Sequence, residues 1–176
     1  LDNISQNSVS YGEVSSSNAN PGLVIDATDG PNVDLGNNPN WVFTDTGDRY
    51  WVSSGAGNWN DFMNWAFTSG GSGGASVPSS SHNVYFDSNG AGDATLNIDT
   101  DISSLTISGY GGTFDLSAST INISGSVSID SASSFDAGTS TVVFNANGST
   151  ETILMNGASF YHLVFSSDTA DATYEP

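Results

Sequence analysis

The chain contains no cysteine and no lysine, and Arg49 is its only strongly basic residue. The lack of cysteine excludes disulfide bonds, cysteine–zinc sites and thiol nucleophiles, and the lack of lysine excludes lysine-based catalysis. Nineteen acidic residues leave a formal net charge of −18 at pH 7 on 176 residues. Because such a surface repels phosphate backbones and anionic membranes, we expect no nucleic-acid partner and no lipid-surface partner.

Long apolar runs and helical periodicity are also missing. No apolar stretch approaches the roughly 20 residues that span a bilayer, so we expect no membrane insertion. The chain opens with Leu1 and shows no apolar core of a secretory signal, from which we expect a processed product or a piece of a longer protein. An acidic chain without lysine or cysteine and rich in serine, threonine and asparagine predicts an extracellular location: a cell surface, a secreted filament or a virion surface.

Short alternating triplets, apolar at the first and third positions, dominate the chain after residue 83. Turns rich in glycine, serine and alanine separate them. Such short, regularly spaced strands exclude a βαβ fold and favour an all-β, right-handed parallel β-solenoid, with a β-sandwich as the alternative. The predicted inward pairs are Val84/Phe86, Leu96/Ile98, Leu105/Ile107, Phe114/Leu116, Ile121/Ile123, Val127/Ile129, Val142/Phe144, Ile153/Met155 and Leu163/Phe165.

All four tryptophans lie in or just upstream of one segment, residues 49–65. Two interpretations stay open. The aromatic residues form a stacking platform for sugar rings, with glycans as partners, or they close the end of a solenoid and join two modules. The end of a solenoid exposes strand edges and an apolar core, and therefore needs a cover. The residues concerned are Trp41, Tyr50, Trp51, Trp59 and Trp65.

Two neighbours of this aromatic set carry their own predictions. Arg49 is expected to be a local structural partner that stacks on a tryptophan or pairs with Asp48 or Asp61. The glycine- and serine-rich residues 68–81 predict a flexible surface loop.

The acidic residues suggest one metal site. Asp87, Asn89 and Asp93 present oxygen atoms at alternating positions around Gly90, which resembles part of a calcium loop. A solvated turn capped by its own aspartate is the alternative. No cofactor is required, and Ca²⁺ is the candidate ligand.

Catalysis is not predicted. Asp115, Asp130 and Asp136 lie at outward or corner positions of successive strands, as paired carboxylates of a glycosidase would. Neither lysine nor a nearby arginine accompanies them, and His82 and His162 are isolated in the sequence. We therefore expect a protein that is not an enzyme.

Several motifs resemble those of a known group of proteins. The strings YWV at 50–52, GNW at 57–59 with Trp65, GGASVP at 73–78 and NVYFD at 83–87 are similar to the opening segment of large tandem-module proteins of bacteria, phages and environmental sequences. The resemblance covers residues 49–174. It implies a predicted right-handed parallel β-helix in a surface or fibre protein.

The same resemblance implies a module organisation. Residues 1–44 look like the β-rich end of a preceding module, and 45–49 form a short linker. Residues 50–93 form the aromatic opening or cap segment with its Gly/Ser loop. Residues 94–176 form solenoid turns that we expect to continue beyond the chain end.

The predicted function is structural. The chain is expected to be a subunit or repeat segment of a surface filament, stalk or adhesin. It would associate head-to-tail with itself or pack against neighbouring modules of a longer chain, because contacts that do not close propagate. Alternatives are a phage virion fibre or decoration protein, and a carbohydrate-binding module that uses the tryptophans.

Overall fold

The structure, a computed structural model, describes residues 4–5, 7–28, 32–146, 150–166 and 173–175. Within these ranges the chain forms short β-strands and two 3-10 helices, Phe62–Asn64 and Ala132–Ser134, and contains no α-helix. No described helix is long and apolar enough to cross a membrane. The strands in chain order are β1 (Glu13–Val14), β2 (Ile25–Asp26), β3 (Val33–Asp34), β4 (Trp41–Val42), β5 (Asp48–Trp51), β6 (Gly57–Asn58), β7 (Trp65–Ala66), β8 (Asn83–Phe86), β9 (Ala94–Thr95), β10 (Thr100–Ile102), β11 (Ser104–Ile107), β12 (Phe114–Asp115), β13 (Thr120–Ile123), β14 (Val127–Ile129), β15 (Phe135–Asp136), β16 (Thr141–Phe144), β17 (Thr150–Leu154), β18 (His162–Phe165) and β19 (Thr173–Glu175).

Three sheets form the faces of a parallel β-solenoid of about seven turns, and each sheet contains one strand from each of several successive turns. The first sheet has the order β19-β17-β14-β11-β8-β5-β7, the second β15-β12-β9-β6 and the third β10-β13-β16-β18. Neighbouring strands in these sheets run parallel, except that β5 and β7 are antiparallel. The predicted all-β parallel solenoid is therefore confirmed, and parallel pairing excludes the sandwich of hairpins.

One turn of the regular part takes about 21 residues. Ser104 donates a hydrogen bond to Asn83 and Asn122 donates one to Asp101, each across 21 residues. In this register every inward residue lies on the inward residue of the next turn, as Leu105 does between Val84 and Val127. The alternation of buried and half-exposed positions along β8, β11, β13 and β16 follows from this stacking.

Ile98 departs from the predicted inward pairs. Its side chain is 38% exposed, whereas Ile102 on β10 is buried. The chain bends at residues 97–99 because two polar side chains there bind neighbouring turns. The amide of Asn97 donates to Asn60, and the carboxylate of Asp99 accepts the backbone N–H of Thr120. This bend turns Ile98 outward, and the next buried apolar side chain along the chain is that of Ile102, four positions later.

The residues before β5 form a smaller parallel coil. β1 pairs with β3, and β2 pairs with β4, both in parallel. Val24 joins the hydrophobic core of the solenoid, and its backbone N–H donates to the carbonyl of Gly73. β5 begins inside the predicted linker 45–49, and β8 lies within the predicted opening segment 50–93.

Candidate functional site at the two ends of the solenoid

Three tryptophans fill the interior at the end of the solenoid nearest the N-terminus. Trp51, Trp59 and Trp65 are fully buried. The ring centroids of Trp51 and Trp65 are 5.2 Å apart and those of Trp59 and Trp65 are 4.7 Å apart, both edge to face. Trp59 stacks on Phe114 at 5.4 Å, which continues the aromatic packing along the axis. The antiparallel strand β7 produces this cluster because it places Trp65 opposite Trp51.

Two of the three indole N–H groups bind backbone oxygens, whereas that of Trp59 is buried without a hydrogen-bond partner among the described residues. The indole N–H of Trp51 donates to the carbonyl of Gly92 at 2.8 Å, and that of Trp65 donates to the carbonyl of Trp59 at 2.7 Å. The faces of these three rings are enclosed by protein and are not accessible to a sugar.

Trp41 and Tyr50 lie elsewhere. Among the described residues, the ring contact of Trp41 is with Phe43, at 6.0 Å. Tyr50 points outward from β5 and stacks on Tyr85 of the next turn at 4.7 Å. Burial raises the pKa of both tyrosines, and the carboxylate of Asp48 adds to this effect. The five aromatic residues predicted as one site therefore occupy three separate places.

Arg49 occupies an inward position of β5, in register with Val84, and its side chain is 1% exposed. All five of its N–H groups have acceptors. Nε binds the carbonyl of Ser76, and Nη1 binds Asp45 Oδ1 and the carbonyl of Asp48. Nη2 binds Asp45 Oδ2 and Ser76 Oγ, with distances between 2.6 and 3.0 Å for these five bonds. A buried guanidinium is tolerated because no donor is left without a partner.

The carboxylate that pairs with Arg49 is Asp45, not Asp48 or Asp61 as predicted. The side chain of Asp48 accepts a hydrogen bond from Asn83 instead, so only its backbone carbonyl reaches the guanidinium. The aromatic ring under Arg49 is Phe67, at 4.7 Å from the guanidinium carbon, rather than a tryptophan. The hydrogen bond from Arg49 holds the pKa of Asp45 well below its usual range.

His82 completes this polar cap, which consists of Asp45, Arg49, Ser76, Ser79 and His82. The backbone N–H of Ser79 donates to Nδ1 of His82 at 2.9 Å, which requires Nδ1 to be unprotonated. The opposite nitrogen, Nε2, lies 3.3 Å from Asp45 Oδ2 and donates to it. Burial, followed by the nearby Arg49 charge, lowers the pKa of His82, which agrees with a neutral ring.

Within the Gly/Ser-rich residues 68–81, predicted to be a flexible surface loop, residues 73–78 pack against the rest of the protein and both ends of the segment are exposed. Ala75 and Pro78 are buried, and Ser76 binds Arg49. A Cβ atom on Gly73 would lie 2.1 Å from the carbonyl oxygen of Met63, so glycine is needed for this close packing. Composition alone cannot distinguish a mobile loop from one whose small residues allow tight contact.

The polar cap was missed in the sequence, although one signal for it is present. Arg49 and Trp51 have the same spacing as the inward pairs of later strands, with Tyr50 outward between them. A charged residue at an inward-facing strand position predicts a buried ion pair. Nearby acidic and hydroxyl residues are then the expected partners.

The predicted calcium residues take part in turn hydrogen bonds. Asp87 accepts the backbone N–H of Asn89 and the hydroxyl of Ser69, and Asn89 also donates to Ser69. Asp93 accepts the backbone N–H of Thr113 on the next turn. Among the described residues, no group of three or more histidine, cysteine, aspartate or glutamate side chains is placed to hold a metal ion.

The three carboxylates considered for catalysis also accept backbone hydrogen bonds. Asp115 accepts from Ser117, Asp130 from Gly109 and Asp136 from Gly138. Asp115 and Asp136 lie next to each other in register on neighbouring turns. His162 is exposed on β18 and makes an edge contact with Tyr161.

At the other end of the solenoid, the inward residues of β18, the last described strand of the third sheet, are partly exposed. Leu163 and Phe165 of β18 are 42% and 54% exposed, although they are in register with the buried residues Val142 and Phe144 of β16. Phe165 stacks on Phe144 at 5.7 Å, so one face of its ring continues the core. The inward column thus reaches the surface of the molecule at β18.

Comparisons with protein-family models, with curated proteins and with solved structures find no match to this chain. The resemblance to tandem-module β-helix proteins therefore stays a prediction from the sequence motifs.

Proposed function

We propose that this chain is a structural segment of an extracellular filament, stalk or adhesin, and that it extends by stacking further β-solenoid turns on its β18 end. The observation that carries the proposal is the half-exposed inward column at β18, formed by Leu163 and Phe165. Their counterparts on the preceding turn, Val142 and Phe144, are buried. A further turn on β18 would remove apolar surface from water.

The two ends differ in a way that favours directional assembly. One end is packed with tryptophans and the buried Arg49–Asp45 ion pair, and the other presents partly exposed apolar side chains at β18. Contacts between unlike ends propagate into open filaments instead of closed rings. The stacking partner is a second copy of this chain or a neighbouring module of a longer chain.

The location and the alternative functions remain proposals. An acidic surface without exposed lysine or arginine suits an extracellular rod, because charge repulsion keeps it soluble. A virion fibre or decoration protein would use the same stacking. A carbohydrate module built on the tryptophans is less favoured because Trp51, Trp59 and Trp65 are buried.

Light scattering after size exclusion, with electron microscopy of the same samples, tests assembly through β18. In 0.5 M NaCl, which screens the net charge, we expect the mass of the wild-type chain to rise with concentration and linear particles to appear. Phe165→Asp should remain monomeric because a buried carboxylate without a partner would oppose stacking. Leu154→Asp is the matched control, since Leu154 is 46% exposed and lies outward on β17.

Two results would contradict self-assembly through this end. One is a monomeric wild-type chain at every concentration. The other is equal loss of association in Phe165→Asp and Leu154→Asp, which would indicate a contact along the side of the rod.

A further inference from the structure

An open groove of about 320 Å³ lies between two successive turns near the β18 end. One wall is formed by residues 132–138, which include a 3-10 helix and β15, and the other by residues 157–161, which precede β18. Small side chains create the space: a Cβ atom on Gly157 would lie 3.8 Å from the Cβ of Ala132. The volume is at the lower end of the range of ligand sites, enough for roughly one or two sugar rings.

Aromatic side chains line this groove. Phe135 is 8% exposed, and Phe160 packs against it edge to face at 6.2 Å, which gives a firm apolar base. Tyr161 is 57% exposed, and its ring meets the edge of His162 at 4.6 Å. Unlike the buried tryptophans, Tyr161 presents its ring to solvent and combines an apolar face with a hydrogen-bonding hydroxyl.

The groove also contains a carboxylate. Asp136 is exposed, and its Oδ1 accepts the backbone N–H of Gly138 at 2.9 Å, which holds the side chain at the rim. Oδ2 has no protein donor among the described residues and is available to a ligand hydroxyl. Its neighbour in register, Asp115, differs because Ser117 donates to both of its oxygens.

Charge limits the class of ligand. No lysine or arginine lines the groove, and the only arginine of the chain is buried at the other end of the solenoid. In a chain of net charge −18 an anionic ligand such as a uronic acid would be repelled. A neutral sugar has an apolar ring face for the aromatic side chain and hydroxyl donors for the carboxylate.

We propose that this groove binds a neutral hexopyranose unit of an oligosaccharide, with Tyr161 stacking on the ring and Asp136 accepting hydrogen bonds from two neighbouring hydroxyls. The site is distinct from the tryptophan cluster and does not depend on filament assembly. It would place glycan recognition on the side of a rod that is otherwise structural.

Amide chemical-shift mapping tests the site on the intact chain in its monomeric Phe165→Asp form. The probes are cellotetraose, maltotetraose and mannotetraose, with tetragalacturonate as the anionic comparison. We expect at least one neutral probe to shift the amides of residues 132–138 and 157–161 in a saturable manner. Tetragalacturonate should bind at least about tenfold more weakly, because the carboxylate of Asp136 repels the carboxylates of this probe.

Variants then separate stacking from hydrogen bonding. Tyr161→Ala and Asp136→Asn should each weaken binding at least about tenfold, since each removes one of the two recognition elements. Asp136→Asn retains an acceptor for Gly138, so the turn is preserved. Tyr11→Ala is the matched control, because Tyr11 is 81% exposed in the smaller N-terminal coil.

The proposal is overturned if none of the neutral probes shifts these amides at 10 mM. It is also overturned if shifts map elsewhere, if Tyr161→Ala binds as the wild type does, or if tetragalacturonate binds as tightly as the neutral probes.

Discussion

At the scale of single residues, part of the acidic composition follows from how the turns are made. Within the described ranges, seven aspartates accept the backbone N–H of the residue two positions later, as Asp87 does from Asn89. Such a bond replaces one that the backbone loses at a corner. The seven are Asp26, Asp34, Asp45, Asp61, Asp87, Asp115 and Asp136.

Gly92 shows how closely successive turns approach. Its carbonyl accepts hydrogen bonds from the Trp51 indole and the Tyr110 hydroxyl, and burial raises the pKa of Tyr110. A Cβ atom at Gly92 would lie 1.9 Å from the carbonyl oxygen of Gly55. The residue therefore fixes the distance between the loop before β9 and the loop after β5.

Gly92→Ala is expected to lower the free energy of unfolding by about 3 kcal/mol, because the backbone must shift and loosen both hydrogen bonds. Gly111→Ala is the matched control, since no atom lies within 4 Å of the added Cβ, and its effect should stay within about 0.5 kcal/mol. Urea denaturation measures both values. Equal stability of the two variants would show that the two loops can separate without lowering the free energy of unfolding.

At the scale of elements, strand β5 carries a fully buried charged residue, Arg49, at an inward position. The polar cap around Arg49 closes the solenoid by hydrogen bonding where other turns rely on apolar contact. The protonation state of the polar cap therefore affects the stability of that end of the sheet.

Stability should depend on pH through His82. Its folded-state pKa lies below the ordinary value of 6.5, so between these two values the unfolded chain binds a proton that the folded chain does not. The free energy of unfolding should therefore fall as pH decreases below about 6.5. Asp45 acts with the same sign, but only below its ordinary value of 3.8.

Urea denaturation between pH 7.5 and 5.0 separates His82 from the other groups. His82→Gln should flatten the pH profile in this range, whereas His162→Gln, a change of an exposed residue, should leave it as in the wild type. A His82→Gln profile as steep as that of the wild type would assign the pH dependence to other residues.

Most of the strand pattern was predictable from sequence, and the cap was not. Inward pairs such as Val84/Phe86 were predicted because apolar alternation directly reflects which side chains face the axis. Ile98 was assigned wrongly, since alternation does not show where polar side chains bend the chain. The contacts of Arg49 with Ser76 and Asp45 depend on the path of a loop, which the local pattern does not encode.

At the scale of the whole molecule, surface charge is almost entirely of one sign. The net charge is −18, while the charge of Arg49 is buried and pairs with Asp45 at one end. Carboxylates such as Asp115 and Asp136, which lie next to each other on neighbouring turns, repel one another, which opposes both folding and association at low ionic strength.

Raising NaCl from 0.01 to 0.5 M should increase the melting temperature, because the screening length falls from about 30 Å to only a few ångströms. Scanning calorimetry at equal ionic strength with MgCl₂ and CaCl₂ tests the calcium prediction at the same time. A larger rise with Ca²⁺ that disappears in Asp93→Asn would assign the ion to the loop of Asp87, Asn89 and Asp93. A melting temperature independent of NaCl would contradict the role of repulsion.

The burial of Arg49 has a consequence for proteolysis. Trypsin cleaves after lysine and arginine, and this chain offers it one bond, between Arg49 and Tyr50. That bond lies in strand β5, and the arginine side chain is 1% exposed. The folded rod should therefore resist the protease, and opening of the capped end alone would let it be cut into two fragments.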